Sequence, residues 1–307
     1  MADPTTPWRL GTVGPDAAPR TVLESGGRLY ELDALLAGAA LRAPTAGTAT
    51  RELLGDWDAW RPILAALAEA PGAEPLAADE LEWLPPIANP SKIICAGANY
   101  GDHLAEMGDE PTRTERPFAF IKPPSTLLGH RRALVLPAMA RKVDWEGELA
   151  VVIGRVAKNV RGERAWAAIA GYCHFNDVSA RDWIDKPVLA VGMDWIVHKS
   201  FDGFGPTGPL ITPAEFVEDP QRLQIRLAVN GVVKQDASTS HMLWGVLELV
   251  EYLSTVMTLL PGDVISTGSP SGVGHGRGEY LAAGDAVALS ISGLGAALET
   301  PVAAPEA

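Results

Sequence analysis

The segment DWEGELAVVIG places Glu146 and Glu148 two residues apart at the head of an apolar run. Side chains alternate faces along a β-strand, so these two carboxylates project the same way, ~7 Å apart. Like charges at that spacing repel unless a cation sits between them, and hard divalent cations such as Mg²⁺ and Mn²⁺ take oxygen ligands. The plain alternative is a solvated strand face. A cation site needs a third anionic ligand, and Asp177 in HFNDVSARD, just after the apolar stretch 171–175, is the best candidate. Three carboxylates leave room on an octahedral ion for water and a chelating substrate.

Other residues could complete such a site. Lys199, in VHKSFDGFGPTGP, could stabilise negative charge developing on a substrate oxygen or, with a lowered pKa, move a proton. Taken alone it reads as a surface lysine. His103 and Glu106 lie three apart in NYGDHLAEMG and share one face if the piece is helical. A carboxylate behind an imidazole orients it and raises its basicity, as a water-activating base requires. An exposed helix pair is the bland reading. Arg181 could meet a substrate carboxylate or a neighbouring acid. Thr267 and Ser269, in ISTGSPSGVG, offer hydroxyls and backbone N–H groups to an anion at a turn. Among the other histidines, His130 beside Arg131 and Arg132 reads as surface, His275 as part of a glycine loop and His174 as core. His198 and His241 stay open.

The elements that must position these groups are mostly strands. A chain of 307 residues, 47% hydrophobic and 21% charged, has material for a full core in one large domain or two unequal ones. Before residue 85 it is rich in Ala, Gly and Pro, with strand-like pieces at 20–23 and 28–32 and a helix over 62–70 that has Pro62 in its first turn. The stretch 83–90 carries three prolines and reads as a linker. Beyond it, strand signals recur in KIICAGAN, FAFIKP, ELAVVIG, LQIRLAVNG, DVISTGS and AVALSISG. Two helices interrupt them, 162–169 and 242–256, the second with Leu243, Val246, Leu247, Val250 and Leu253 on one stripe and Ser240 or Thr239 as its cap. The pattern predicts a β-rich α+β fold, with a small variable N-terminal α+β domain (1–85) and a catalytic domain (86–307).

A formal net charge of -13 argues against nucleic acid and anionic membranes as partners. Small anionic substrates remain compatible, because a bound cation and a nearby lysine invert the field locally. The Gly-x-Gly patterns in GFGPTGP and SGVGHGRG lack the strand–helix setting of a nucleotide site. Cys95 and Cys173 match no zinc or disulfide pattern, so a reducing cytoplasm is expected. The segment MADPTTPWRL has no apolar core, and no apolar run reaches the ~18 residues of a membrane span.

Seven segments stand in order: CAGANYGDHLAEMG, FIKPPSTLLG, VDWEGELAVVIGR, GYCHFNDVSARD, HKSFDGFGPTGP, VNGVVKQDASTSHM and LLPGDVISTGSPSGVG. In this order the chain resembles the fumarylacetoacetate hydrolase family over residues 92–302. The resemblance implies a mixed β-roll C-terminal domain and a homodimer. It also implies Mg²⁺ or Mn²⁺, with Ca²⁺ as a stand-in in crystals, on residues matching Glu146, Glu148 and Asp177. The family's water-activating pair matches His103 and Glu106, its active-site lysine and threonine match Lys199 and Thr267, and an arginine that meets substrate carboxylates matches Arg181. Three positions depart from the pattern. Ile184 stands where many members carry a substrate-binding glutamine, and His198 and His241 replace a glycine and an aspartate. A lid near residues 101–116 and residues 183–189 would shape the acyl pocket. The implied reaction is hydrolysis of a C–C bond in a β-diketo acid, an acylpyruvate or a fumarylacetoacetate-like substrate. Oxaloacetate decarboxylation or tautomerisation and 2-hydroxy-dienoate isomerisation are rivals on the same site. A non-catalytic metal- or ligand-binding homologue is the alternative of another class.

Overall fold

The strand Gly147–Ile153 is buried along its whole length, which explains why its sequence is a continuous apolar run and not an alternation. Leu149, Val151 and Ile153 enter one core with Leu227, Leu289 and Val250. Ala150 and Val152 enter a second core with Trp8, Trp60 and Leu64. A strand covered on both faces can hold charged side chains only at its end, and there Glu146 and Glu148 sit.

The computed structural model describes residues 6–43, 49–184 and 194–305. Its largest sheet has eleven strands. The main path runs Arg28–Glu31, Arg20–Ser25, Trp8–Val13, Gly205–Pro213, Ile169–Asn176, Gly147–Ile153, Val264–Ser266, Ile93–Gly97 and Phe118–Lys122. The step from Val264–Ser266 to Ile93–Gly97 is parallel, which makes the sheet mixed. A five-stranded sheet, Val232–Ser238, Gln224–Val229, Ala286–Ile291, Leu298–Ala303 and Leu134–Val135, supplies the apolar face opposite Leu149 and Val151. The helix Val246–Val256 adds Val246, Val250 and Leu253 to that core. The fold is therefore sheet-rich and mixed with few helices, as the strand pattern predicts.

Several local expectations need correction. The helix around Pro62 is Trp57–Glu69, with the proline inside it and not in its first turn. An interior proline costs ~3 kcal/mol, but starting earlier buries Trp57 and Trp60 beside Leu64 and Leu67, and two tryptophans outweigh that cost. The stretch 83–90 is no linker. Trp83–Leu84 pairs with Trp8–Val13, and Trp83, Leu84 and Ile87 are buried. The expected helix 162–169 is only Glu163–Trp166, because Ile169 already begins a strand. The long helix starts at Val246, so Leu243 lies outside it and Leu249 joins the buried stripe. Its cap comes from neither Ser240 nor Thr239. Gly245 N–H donates to Glu248 Oε2 at 2.9 Å and Val246 N–H to Gln221 Oε1 at 2.7 Å. His130 is buried, not superficial. Its Nδ1 accepts the Glu299 N–H at 3.1 Å, and burial, aided by Arg131, lowers its pKa to about 4. Among the described residues, no helix is long and apolar enough to cross a membrane.

Candidate active site

Strand register brings the carboxylates together. In the antiparallel pairing of Gly147–Ile153 with Ile169–Asn176, Gly147 faces Asn176 and Glu148 faces Phe175. One residue further, the Asp177 N–H donates to Glu146 O at 2.8 Å. Oxygen atoms of Glu146, Glu148 and Asp177 thus lie within 4.8 Å of one another, all three residues buried. Burial, then Asp177 and Glu146, pushes Glu148 well above the usual carboxylate range. A set of three buried oxygen donors crowded until one resists ionisation suits a hard divalent cation, whose charge removes the repulsion.

The chain's own cations offset part of that charge. Lys199 Nζ donates to Glu146 Oε2 at 2.6 Å and to Asp177 Oδ2 at 2.7 Å. Burial works to lower the Lys199 pKa, but Asp177 and Glu146 outweigh it and raise it, so these two acids favour the ammonium form. Glu146 goes the other way. Burial opposes its charge, yet Lys199 and Arg181 hold it far below the usual range. Arg181 is buried and spends its guanidinium on acids, with Nε donating to Asp144 Oδ2 at 2.8 Å and another nitrogen donating to Glu146 Oε1. These acids are buried, and neither is Asp182 or a surface acid. Glu148 Oε2 accepts from Ser266 Oγ and from the Gly268 N–H.

Asp144 and Lys122 escaped the sequence reading. Asp144 shares the i, i+2 alternation of Glu146 and Glu148, which was a usable signal. It accepts N–H bonds from Trp145, Gly274 and His275 at 2.6–3.0 Å as well as the Arg181 bond, tying the 272–277 segment to the ligand strand. Removing one partner of a buried charge pair costs several kcal/mol, so Asp144→Asn is expected to lose about 3 kcal/mol in urea denaturation. Lys122 is fully buried, and its Nζ donates to Asp177 Oδ1. A lysine within the apolar strand Phe118–Lys122 was its only sequence mark.

His103 and Glu106 fall on the helix Gly101–Glu106, with His103 Nδ1 3.4 Å from Glu106 Oε2. The Gly272 N–H donates to both Glu106 oxygens at 3.0 and 3.1 Å. Burial raises the Glu106 pKa, but the His103 contact and the Gly272 N–H outweigh it and keep Glu106 ionised. A Cβ on Gly276 would lie 2.4 Å from Glu106 Cγ and 2.7 Å from its Cδ. Gly276→Ala should therefore push Glu106 off His103 and lower kcat by up to about 10²-fold, with Mn²⁺ affinity unchanged in a calorimetric titration.

A cavity of about 430 Å³ is lined by His103, Glu146, Glu148, Asp177, Arg181, Ile184 and Lys199 together with Phe118, Trp195 and Ser269. Most of the expected residues thus meet in one place. Thr267 is outside this lining, and its hydroxyl donates to Leu149 O at 2.8 Å, while Ser269 lines the cavity in its stead. His241 is exposed and His198 is buried, its Nδ1 2.7 Å from Asp194 O; neither lines the cavity. His174 is core, as expected, with Nε2 accepting the Ile291 N–H. Residues 185–189 of the expected lid lie outside the described residues.

Residues 92–303 match the family model described as the fumarylacetoacetate (FAA) hydrolase C-terminal domain. The chain belongs to the fumarylacetoacetate hydrolase family. Among its family relatives, a mitochondrial oxaloacetate tautomerase of Xenopus laevis is 41% identical over 229 residues, 74% of this chain and 70% of that protein. A 5-carboxymethyl-2-hydroxymuconate delta-isomerase from Mycobacterium smegmatis superposes with a TM-score of 0.72 at 34% identity, covering 97% of this chain and 100% of that one. A maleylpyruvate hydrolase from Sphingobium, solved with manganese(II) and pyruvate, superposes with a TM-score of 0.77 at 28% identity, again covering 97% and 100%. Hydrolase, isomerase and tautomerase are thus all represented among the family proteins that this chain resembles.

Proposed function

We propose that this enzyme hydrolyses a C–C bond in a β-diketo acid, an acylpyruvate or fumarylacetoacetate-like substrate, with Mg²⁺ or Mn²⁺ held by Glu146, Glu148 and Asp177. The observation that carries the reading is the convergence of the three carboxylates and His103, backed by Glu106, on one cavity. When bound, the cation supplies positive charge to the 2-oxo and carboxylate oxygens of the substrate. His103 takes a proton from water, and the water oxygen attacks the distal carbonyl carbon. Glu106 keeps the imidazole oriented. Lys199 offers an ammonium to the oxygen that gains charge. The C–C bond then breaks, its electron pair stays with the pyruvate portion, and His103 returns the proton to that carbon. The products are a carboxylic acid and a 2-oxo acid.

The second reading is oxaloacetate tautomerisation, favoured by the 41% identity to a tautomerase. It needs His103 to move a proton between carbon and oxygen, and no water. Decarboxylation and dienoate isomerisation use the same groups. A binding-only homologue fits least, because Glu146, Glu148 and Asp177 share one cavity with His103 and Glu106 lies against that imidazole. A homodimer in the cytoplasm completes the proposal. Product analysis by mass spectrometry with Mg²⁺ decides among the reactions. Acetylpyruvate should give acetate and pyruvate. Accelerated loss of the ultraviolet absorbance of enol-oxaloacetate at unchanged mass, or released CO₂, with acetylpyruvate untouched, would overturn hydrolysis.

A further inference from the structure

The cavity that holds the carboxylates also has an apolar lining. Ala96, Leu104, Met107, Phe118, Ile184 and Trp195 line it. Phe118 and Trp195 pack at a tilt with ring centroids 4.9 Å apart, and Trp195 also meets Phe120 at 5.1 Å. The cations that line the cavity, Lys199 and Arg181, are already engaged by Glu146, Asp177 and Asp144. Beyond these groups and His103, the charged lining residue among the described residues is Asp109, an anion. The volume of about 430 Å³ leaves room past a pyruvate-sized head.

From this we infer that the substrate's acyl tail is apolar and uncharged, and that a tail ending in a carboxylate is disfavoured. The inference rests on the proposal that a 2-oxo acid head binds at the carboxylates. With the head there, the tail meets the aromatic wall. With Lys199 held at the oxygen that gains charge, a terminal carboxylate would lose water without gaining a further cation among the described lining residues and would face Asp109. An alkyl or aryl tail loses only apolar surface, and each buried methylene is worth about fourfold in affinity. Ile184 belongs to the same wall. An apolar residue there suits a tail with nothing to hydrogen-bond. Trp195, Phe118 and Asp109 then act as specificity residues.

Oxamates keep the 2-oxo acid head but are not cleaved, so they separate binding from turnover. Calorimetric titration of the full chain with Mg²⁺ should show N-hexyl oxamate binding about tenfold or more tightly than N-(5-carboxypentyl) oxamate. Trp195→Ala should shrink that ratio severalfold, and Asp109→Lys should shift it about threefold toward the carboxylate tail, a small change because Asp109 is solvent-exposed. Equal or tighter binding of the carboxylate-tailed oxamate by the unmutated protein overturns the inference. So does a ratio untouched by Trp195→Ala. If neither oxamate binds, the 2-oxo acid site falls and the tail assignment with it. If the hexyl compound binds as expected but no acylpyruvate is cleaved, hydrolysis is overturned and the tail assignment stands.

Discussion

Glu148→Gln is expected to abolish Mn²⁺ binding at micromolar concentrations and to lower turnover by about 10³-fold, while the protein stays folded. The fold survives because glutamine keeps an oxygen to accept the Ser266 hydroxyl and Gly268 N–H bonds that Glu148 makes. It also replaces a carboxyl that burial, Asp177 and Glu146 already hold back from ionising, so the cation-free variant should melt no lower than the parent protein. Binding fails because the cation loses an anionic donor out of three, and a loss of 100-fold in Kd corresponds to about 2.7 kcal/mol. Thermal melts give the sharpest view of both effects. A cation that binds only the folded state adds about 2.7 kcal/mol of stability at 100 times its Kd, so Mn²⁺ should raise the Tm of the parent and leave that of Glu148→Gln unmoved. Equal rises would remove Glu148 from the cation site.

His103→Ala should separate chemistry from cation binding. The imidazole lines the same cavity as the carboxylates but does not belong to their cluster, so Mn²⁺ affinity should be retained. Loss of a positioned general base typically costs 10²–10⁴ in rate, and kcat should fall by about that factor. Single-turnover kinetics with saturating Mg²⁺ and acetylpyruvate would measure it. Turnover within threefold of the parent would show that water is activated elsewhere, and the role of Glu106 would go with it.

Much of the carboxylate cluster was legible because its geometry is local. Glu146 and Glu148 share a face by strand alternation alone, and Asp177 ends the next apolar run. What sequence could not show is the register that sets Asp177 beside Glu146, since antiparallel pairing between segments thirty residues apart depends on the whole sheet. Arg181 is instructive for the same reason. Its type and position suggested a substrate carboxylate or a surface acid such as Asp182, and the acids it meets are the buried Asp144 and Glu146. Burial is a tertiary property. The segment 83–90 misled because three prolines usually mark an exposed connection, whereas here Trp83 and Ile87 supply enough apolar surface to hold the chain against the sheet. Trp195 gave no sign at all, since an aromatic residue in a loop becomes a cavity wall only when Phe118 and Phe120 arrive from another strand.

Hydrolysis differs from every rival reaction in that water oxygen ends in a product. The direct measurement is cleavage of acetylpyruvate in H₂¹⁸O with Mg²⁺, followed by mass spectrometry of the acetate, whose carboxylate does not exchange with solvent at neutral pH. At least one ¹⁸O atom in every acetate, a second arising where the acetyl keto oxygen has exchanged beforehand, is the expected result, and it is lost together with turnover in His103→Ala. Acetylpyruvate recovered at unchanged mass apart from exchange at its keto groups, with no labelled acetate formed, would contradict it.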